Sequence, residues 1–220
     1  MNDLELLKIK NLKWLPWIGS NYASHPSKIL IVGESHYGED NEARLKELDN
    51  VETTRECIID MGIENNAYGV KFYKNIHALL VGKKEFDTTA FWSRISFVNF
   101  IQKTMTTSGT RPDYADFHNS AGTFFNLLDK LEPDYCLMCG VSSINALRNT
   151  MGESNFLEIE FKKFEKIGNI YPRIMSIQSN GGKIIKLIFI QHPSHHFSYN
   201  NWGHFLRQQE LSFMNQFVDL

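Results

Sequence analysis

The stretch Ile29-Leu30-Ile31-Val32-Gly33-Glu34-Ser35-His36 decides the fold, because four aliphatic residues run straight into a glycine and a polar cluster. A short, unbroken apolar run ended by a turn residue predicts a strand buried on both faces. Three segments repeat the pattern: Ile95–Val98 into Asn99, Tyr135–Met138 into Gly140, and Ile184–Ile190 into Gln191-His192. Helical patterns lie between them, roughly Glu42–Leu48, Val70–Val81, Ala121–Leu131 behind Ser120, and Ile144–Met151 behind Ser142, the two serines being natural N-caps. Alternating strands and helices predict an α/β fold in one three-layer domain over 1–220, with a central, mainly parallel sheet flanked by helices.

The flanks complete this expectation. Leu4, Leu7, Leu12 and Leu15 recur at near-helical spacing before Pro16, predicting a helical cap over 1–27 on a core spanning 28–198. Ile170–Gln178 and Lys183–Ile190 flank Ser179-Asn180-Gly181-Gly182, a turn suited to positive φ, and predict one antiparallel hairpin. The alternating Phe161-Lys162-Lys163-Phe164-Glu165-Lys166 reads as an edge strand protected by charge. Phe205, Leu206, Leu211, Phe213, Met214 and Phe217 predict a closing amphipathic helix over 203–218.

Composition narrows the function classes. The 220 residues are 42% hydrophobic and 22% charged, which fits a filled globular core and excludes collagenous and disulfide-framework chains. A formal charge of −2 gives no bulk attraction for duplex nucleic acid, so any such contact needs a local patch. Lys83, Lys84, Arg94, Lys103, Arg111 and Arg207 are the candidates for a modest basic rim. The apolar runs are far shorter than the roughly 20 residues of a membrane span. Three cysteines, Cys57, Cys136 and Cys139, cannot form a closed set of disulfides, and Met1-Asn2-Asp3-Leu4-Glu5 carries no leader pattern; both features predict a reduced, cytoplasmic protein with no membrane partner. The cysteines read as small buried hydrophobes.

Ligands of open parallel sheets bind beyond the carboxyl ends of the strands. The least generic residues of this chain fall at those ends: Glu34, Ser35 and His36 after the first strand, Asn99 after a middle one, and His192, Pro193, Ser194, His195 and His196 after the last. The histidines with Glu34 have no recognised metal-ligand spacing, and Gly33-Glu34-Ser35 lacks the further glycines of a nucleotide or phosphate loop.

These residues resemble the uracil-DNA glycosylase superfamily, whose members pair a Gly-Glu or Gly-Gln loop after the first strand with a His-Pro-Ser loop after the last. Here those are Gly33-Glu34-Ser35-His36-Tyr37 and His192-Pro193-Ser194. Ile95-Ser96-Phe97-Val98-Asn99 is similar to the family strand that ends in a base-reading asparagine, Arg111-Pro112 to an Arg-Pro of some branches, and Glu132-Pro133-Asp134 through Gly140 to the family's Pro-Asp strand and glycine turn. A second His25-Pro26-Ser27 lies before a strand, in the wrong context.

The resemblance implies removal of a uracil-like, deaminated or modified base from DNA by water, with no cofactor. It implies catalytic roles for Glu34, Ser35, His36 and His192, the last as donor to the departing base. It implies substrate contacts from Gly33, Tyr37, Asn99, Ser194 and His195, and a stacking aromatic, Phe72 or Tyr73, with Phe72 the better aligned. Ser35 stands where the best-known branch has a water-orienting aspartate, which leaves Glu34, Glu39 or Asp40 for that task. Branches with an iron–sulfur cluster need four cysteines, one more than this chain has. Two rivals accompany this expectation: a non-catalytic binder of a base or modified DNA, and a hydrolase of free nucleosides.

Overall fold

The computed structural model describes residues 2–65, 70–83, 85–107, 109–194 and 196–220. Seven strands form one sheet: β1 (Trp17–Ile18), β2 (Ile29–Gly33), β3 (Ile95–Asn99), β4 (Tyr135–Cys139), β5 (Phe156–Lys163), β6 (Arg173–Ser179) and β7 (Ile184–Ile190), in the order β1-β3-β2-β4-β7-β6-β5. The four apolar runs of the sequence are its centre, all parallel. The mainly parallel expectation needs correcting, because β1 joins β3, β6 joins β7 and β5 joins β6 antiparallel. The sheet is mixed: a parallel core with antiparallel strands added at both edges.

The helices are α1 (Asp3–Leu6), α2 (Glu42–Glu47), α3 (Thr53–Cys57), α4 (Lys71–Leu80), α5 (Thr88–Arg94), α6 (Tyr114–Leu131), α7 (Ile144–Thr150), α8 (Tyr199–Gln209) and α9 (Leu211–Met214), with a π-helical turn, Ile58–Glu64, continuing α3. Successive strand residues face opposite sides. Leu30, Val32, Val98, Cys136, Met138 and Phe189 pack under α6 and α7, while Ile29, Ile31, Phe97, Leu137, Cys139 and Ile188 pack under α4, α5 and α8. Both faces are therefore covered, which is why these strands read as unbroken apolar runs. Cys136 and Cys139 fall on opposite faces, Cys57 is buried as well, and all three are free thiols.

Four boundaries differ from the sequence expectation. The N-terminal helix is one turn only: Leu4 and Leu7 are exposed, and Asn11 takes a left-handed φ of 64° that ends helical geometry. Of the four leucines Leu15 is buried and Leu12 partly so, joined by Leu6, Ile9 and Trp14, and the chain continues into β1. α6 starts two turns before Ser120, where Asp113 and Asp116 form a capping box; Ser120 sits inside the helix, where its hydroxyl accepts the Gln102 N–H. Ser143, not Ser142, is the N-cap residue of α7. The closing helix begins at Tyr199, capped by Ser198, and breaks at Glu210, whose buried carboxylate takes Lys186 at 2.8 Å. The hairpin β6–β7 agrees with the sequence reading, and β5 is an edge strand as expected, but it runs Phe156–Lys163, so Phe164, Glu165 and Lys166 lie beyond it. Among the described residues no helix is long and apolar enough to cross a membrane.

Candidate functional site

The loops leaving β2, β3 and β7 meet at the carboxyl end of the sheet around an open cleft of about 690 Å³. Glu34, Ser35, His36, Tyr37, Phe72, Asn99, His192 and Ser194 all line it; His195 lies outside the described residues.

Gly33 ends β2 level with Asn99 at the end of β3. The Asn99 side chain lies across the glycine: a methyl group on Gly33 would stand 2.2 Å from Asn99 Oδ1 and 3.0 Å from Phe97 Cζ. The glycine is therefore the space the amide occupies. Asn99 is buried, the Asn99 carbonyl accepts from Gln102 Nε2, and its side-chain amide makes no hydrogen bond with the described residues. That amide offers a donor and an acceptor to whatever enters the cleft. Gly33→Ala is expected to cost about 1–3 kcal/mol by overpacking. In a double-mutant cycle read by urea denaturation, adding Asn99→Ala recovers much of that loss; simple additivity would show that the two residues do not compete for the space.

Glu34 is a buried carboxylate with both oxygens engaged. Tyr37 Oη donates to Oε1 at 2.8 Å and Arg111 Nη2 to Oε2 at 2.6 Å. Arg111 is half exposed, so the pair joins a buried anion to a cation at the cleft mouth. Burial, and then the Glu34 charge, push the Tyr37 phenol up, so it stays a donor. Arg111 was legible only as an Arg-Pro dipeptide and a possible rim charge; its pairing across 77 residues of chain was not.

Ser35 and His36 hold the loop. Ser35 Oγ donates to the Lys103 carbonyl at 2.6 Å, and the His36 carbonyl accepts from Met105 N, so the loops after β2 and β3 are stitched together. The His36 ring bonds Thr54 Oγ1 at 2.9 Å and meets Trp14 edge-on at 4.7 Å. Burial lowers its pKa to about 4, so it is neutral at pH 7.

The β7 loop is built around His192. The backbone N–H of Ser194 donates to His192 Nδ1 at 3.3 Å; a neutral imidazole that accepts at Nδ1 carries its proton on Nε2. The first His-Pro-Ser makes the same local contact, Ser27 N–H to His25 Nδ1 at 3.4 Å, but there Nδ1 also lies 2.8 Å from the Ser27 carbonyl. Asn75 on α4 fixes the loop by donating to the Pro193 carbonyl at 2.6 Å. Asn75 escaped the sequence reading, although it stands one helical turn after Phe72. Phe72 is half buried, 5.5 Å from the His192 ring and 5.9 Å from Phe97. Tyr73 is buried against Trp92 and Phe97, which leaves Phe72 as the more open of the two rings.

Arg44, Cys57, Met61, Val70 and Lys71 form a further wall that the sequence did not announce. The basic rim is not as expected. Arg94 precedes β3 at the far end of the sheet and pairs with Asp219, Lys103 pairs with Asp116, and Lys83 donates to the Leu220 carbonyl. Arg207 lies in the last turn of α8, and Lys84 falls outside the described residues. No group of three metal-ligating side chains gathers among the described residues.

A scan against protein-family models and a search of the curated proteins find no match for this chain.

Proposed function

We propose that this chain is a DNA glycosylase of the uracil-DNA glycosylase type, which takes an extruded base into the cleft and hydrolyses its N-glycosidic bond. The observation that carries the reading is the shared cleft: the Asn99 amide, the Phe72 ring and His192, whose Nδ1 accepts the Ser194 N–H, all line it. A base needs a flat apolar face, a donor–acceptor pair at its edge and a donor toward the oxygen that becomes anionic; these three groups supply them in that order.

In the reaction the C1′–N bond breaks, the base leaves with the electron pair, water forms the new bond to C1′, and the proton that water loses ends on the departed base. Positive charge builds on the sugar and negative charge on the base. His192 Nε2–H stabilises the base anion. Glu34, bonded by Arg111 and Tyr37 in the cleft wall, contributes a carboxylate opposite in sign to the sugar cation.

The test is alkali-induced strand cleavage of oligonucleotides carrying uracil, hypoxanthine, xanthine, hydroxymethyluracil or glucosylated cytosine. Abasic sites on one of them identify the base. Oligonucleotide binding without abasic sites on any of them favours the second reading, a binder that holds a base without cleaving it. A specific feature supports that reading: Ser35 Oγ is committed to the Lys103 carbonyl and both Glu34 oxygens are bonded, so neither group is poised for water. A nucleoside hydrolase is separated by salt, since only DNA binding weakens steeply as salt rises.

A further inference from the structure

With a formal charge of −2, a nucleic-acid ligand needs a local cationic surface, and the expected rim is dispersed or ion-paired. The register of the sheet leads to another. Val98, Val32, Met138, Phe189, Arg173 and Lys163 are successive partners in one row across β3, β2, β4, β7, β6 and β5. That row lies one residue below Gly33 and Asn99, so the start of β6 and the end of β5 share the cleft's end of the sheet.

At that corner Lys163 Nζ stands 3.9 Å and Lys166 Nζ 5.0 Å from the centroid of the same Tyr171 ring. Arg173 joins them, donating from Nη1 to the Tyr171 carbonyl. Among the described residues none of these three cations has a carboxylate partner, Glu165 included, whereas Lys162 pairs with Glu160 and Arg148 with Glu158. Edge protection accounts for the paired charges but leaves this cluster unexplained.

The corner is also built rather than loose. Phe164 N donates to the Pro172 carbonyl, Ile167 and Ile170 exchange hydrogen bonds, and Phe164 packs on Phe205 of α8, the helix that follows the His192 loop. Two strand spacings separate β7 from β5, about 10 Å, or roughly three nucleotide rises of one DNA strand.

We propose that Lys163, Lys166, Arg173 and Tyr171 form a backbone-binding platform for the DNA strand that leaves the cleft, the lysines and Arg173 meeting phosphates and the Tyr171 ring holding the two ammonium groups together. This rests on the reading of the cleft as a base site in DNA. Lys163→Ala/Lys166→Ala is compared with wild type by fluorescence anisotropy of a labelled oligonucleotide, single-stranded and as duplex, over about 50–200 mM salt. Loss of two phosphate contacts lowers the slope of log K against log salt by about 1.4 for the single strand or 1.8 for the duplex. Tyr171→Leu weakens binding and Tyr171→Phe does not. Lys8→Ala/Lys10→Ala, beside the C-terminal half of α6 at the other end of the sheet, changes neither affinity nor slope.

An unchanged slope and affinity in Lys163→Ala/Lys166→Ala overturns the platform, while base release by that variant keeps the glycosylase reading. A reduced slope without base release by wild type keeps the platform and overturns the glycosylase. Wild type that binds no oligonucleotide overturns both.

Discussion

His192→Ala is expected to slow base release by roughly 10²–10³-fold, the equivalent of about 3–4 kcal/mol for one preorganised donor facing developing negative charge. The fold should tolerate the change, because the loop keeps its tie from Asn75 to the Pro193 carbonyl, and His192 itself is only half buried. Under single turnover with enzyme in excess, the loss appears in the chemical rate and not in oligonucleotide affinity. Asn99→Ala removes a donor and an acceptor at the base edge and is expected to cost about 10–100-fold, in affinity as well as rate. His25→Ala, the matched control in the other His-Pro-Ser, leaves base release unchanged, since its ring is turned onto the Ser27 carbonyl at the opposite end of the sheet. Equal losses from His25→Ala and His192→Ala would mean that the tripeptide, and not its placement, matters.

The second large effect is on stability. His36 and His77 are both buried, His77 accepting from Trp92 Nε1 at 3.1 Å within a ring of Phe86, Phe91 and Trp92. Burial lowers each pKa from 6.5 to about 4. The unfolded chain therefore takes up these protons first as pH falls, and each bound proton favours unfolding. Stability is unaffected by these groups above about pH 6.5, declines from there to about pH 4, and levels off below, by about 3 kcal/mol for each histidine. Urea denaturation from pH 7 to pH 4 reads the total, and His36→Gln or His77→Gln should each remove about half of the slope. A stability that stays flat between pH 7 and pH 5 would contradict neutral, buried rings at both positions.

The parts of the fold that the sequence disclosed are those where local chemistry and tertiary placement agree. The four parallel strands are apolar because both faces are covered, and each ends where a glycine or polar residue meets the open end of the sheet. For the same reason Glu34, Ser35, His36, Asn99, His192 and Ser194 are legible as one group at the strand ends, and they line one cleft; Tyr37 and Phe72, which line it too, follow only from the family resemblance.

What stayed hidden depended on distant partners or on competing local signals. β1 is two residues long and exists because β3 offers it an edge, with Ser96 Oγ donating to the Trp17 carbonyl. The leucine spacing near the N-terminus imitates a helix, but Leu4 and Leu7 are exposed and burial goes to Leu6, Ile9 and Trp14 beside Leu15, out of helical phase. The Asp113–Asp116 capping box is present in the sequence, but Ser120, seven residues later, offers a competing N-cap signal. The Arg111–Glu34 pair and the Lys163–Tyr171–Lys166 cluster required the sheet register before their neighbours could be known. The alternation over Phe161–Lys166 signals edge protection, and Lys162 with Glu160 serves that end.

The central claim is that the cleft receives a base and breaks its bond to the sugar. Its most direct measurement is mass-spectrometric detection of free base after incubating wild type, Asn99→Ala and His192→Ala with the oligonucleotide panel. The account predicts free base from wild type in the same molar amount as abasic sites, and far less from either variant. Oligonucleotide bound by wild type with no free base released from any substrate would contradict it.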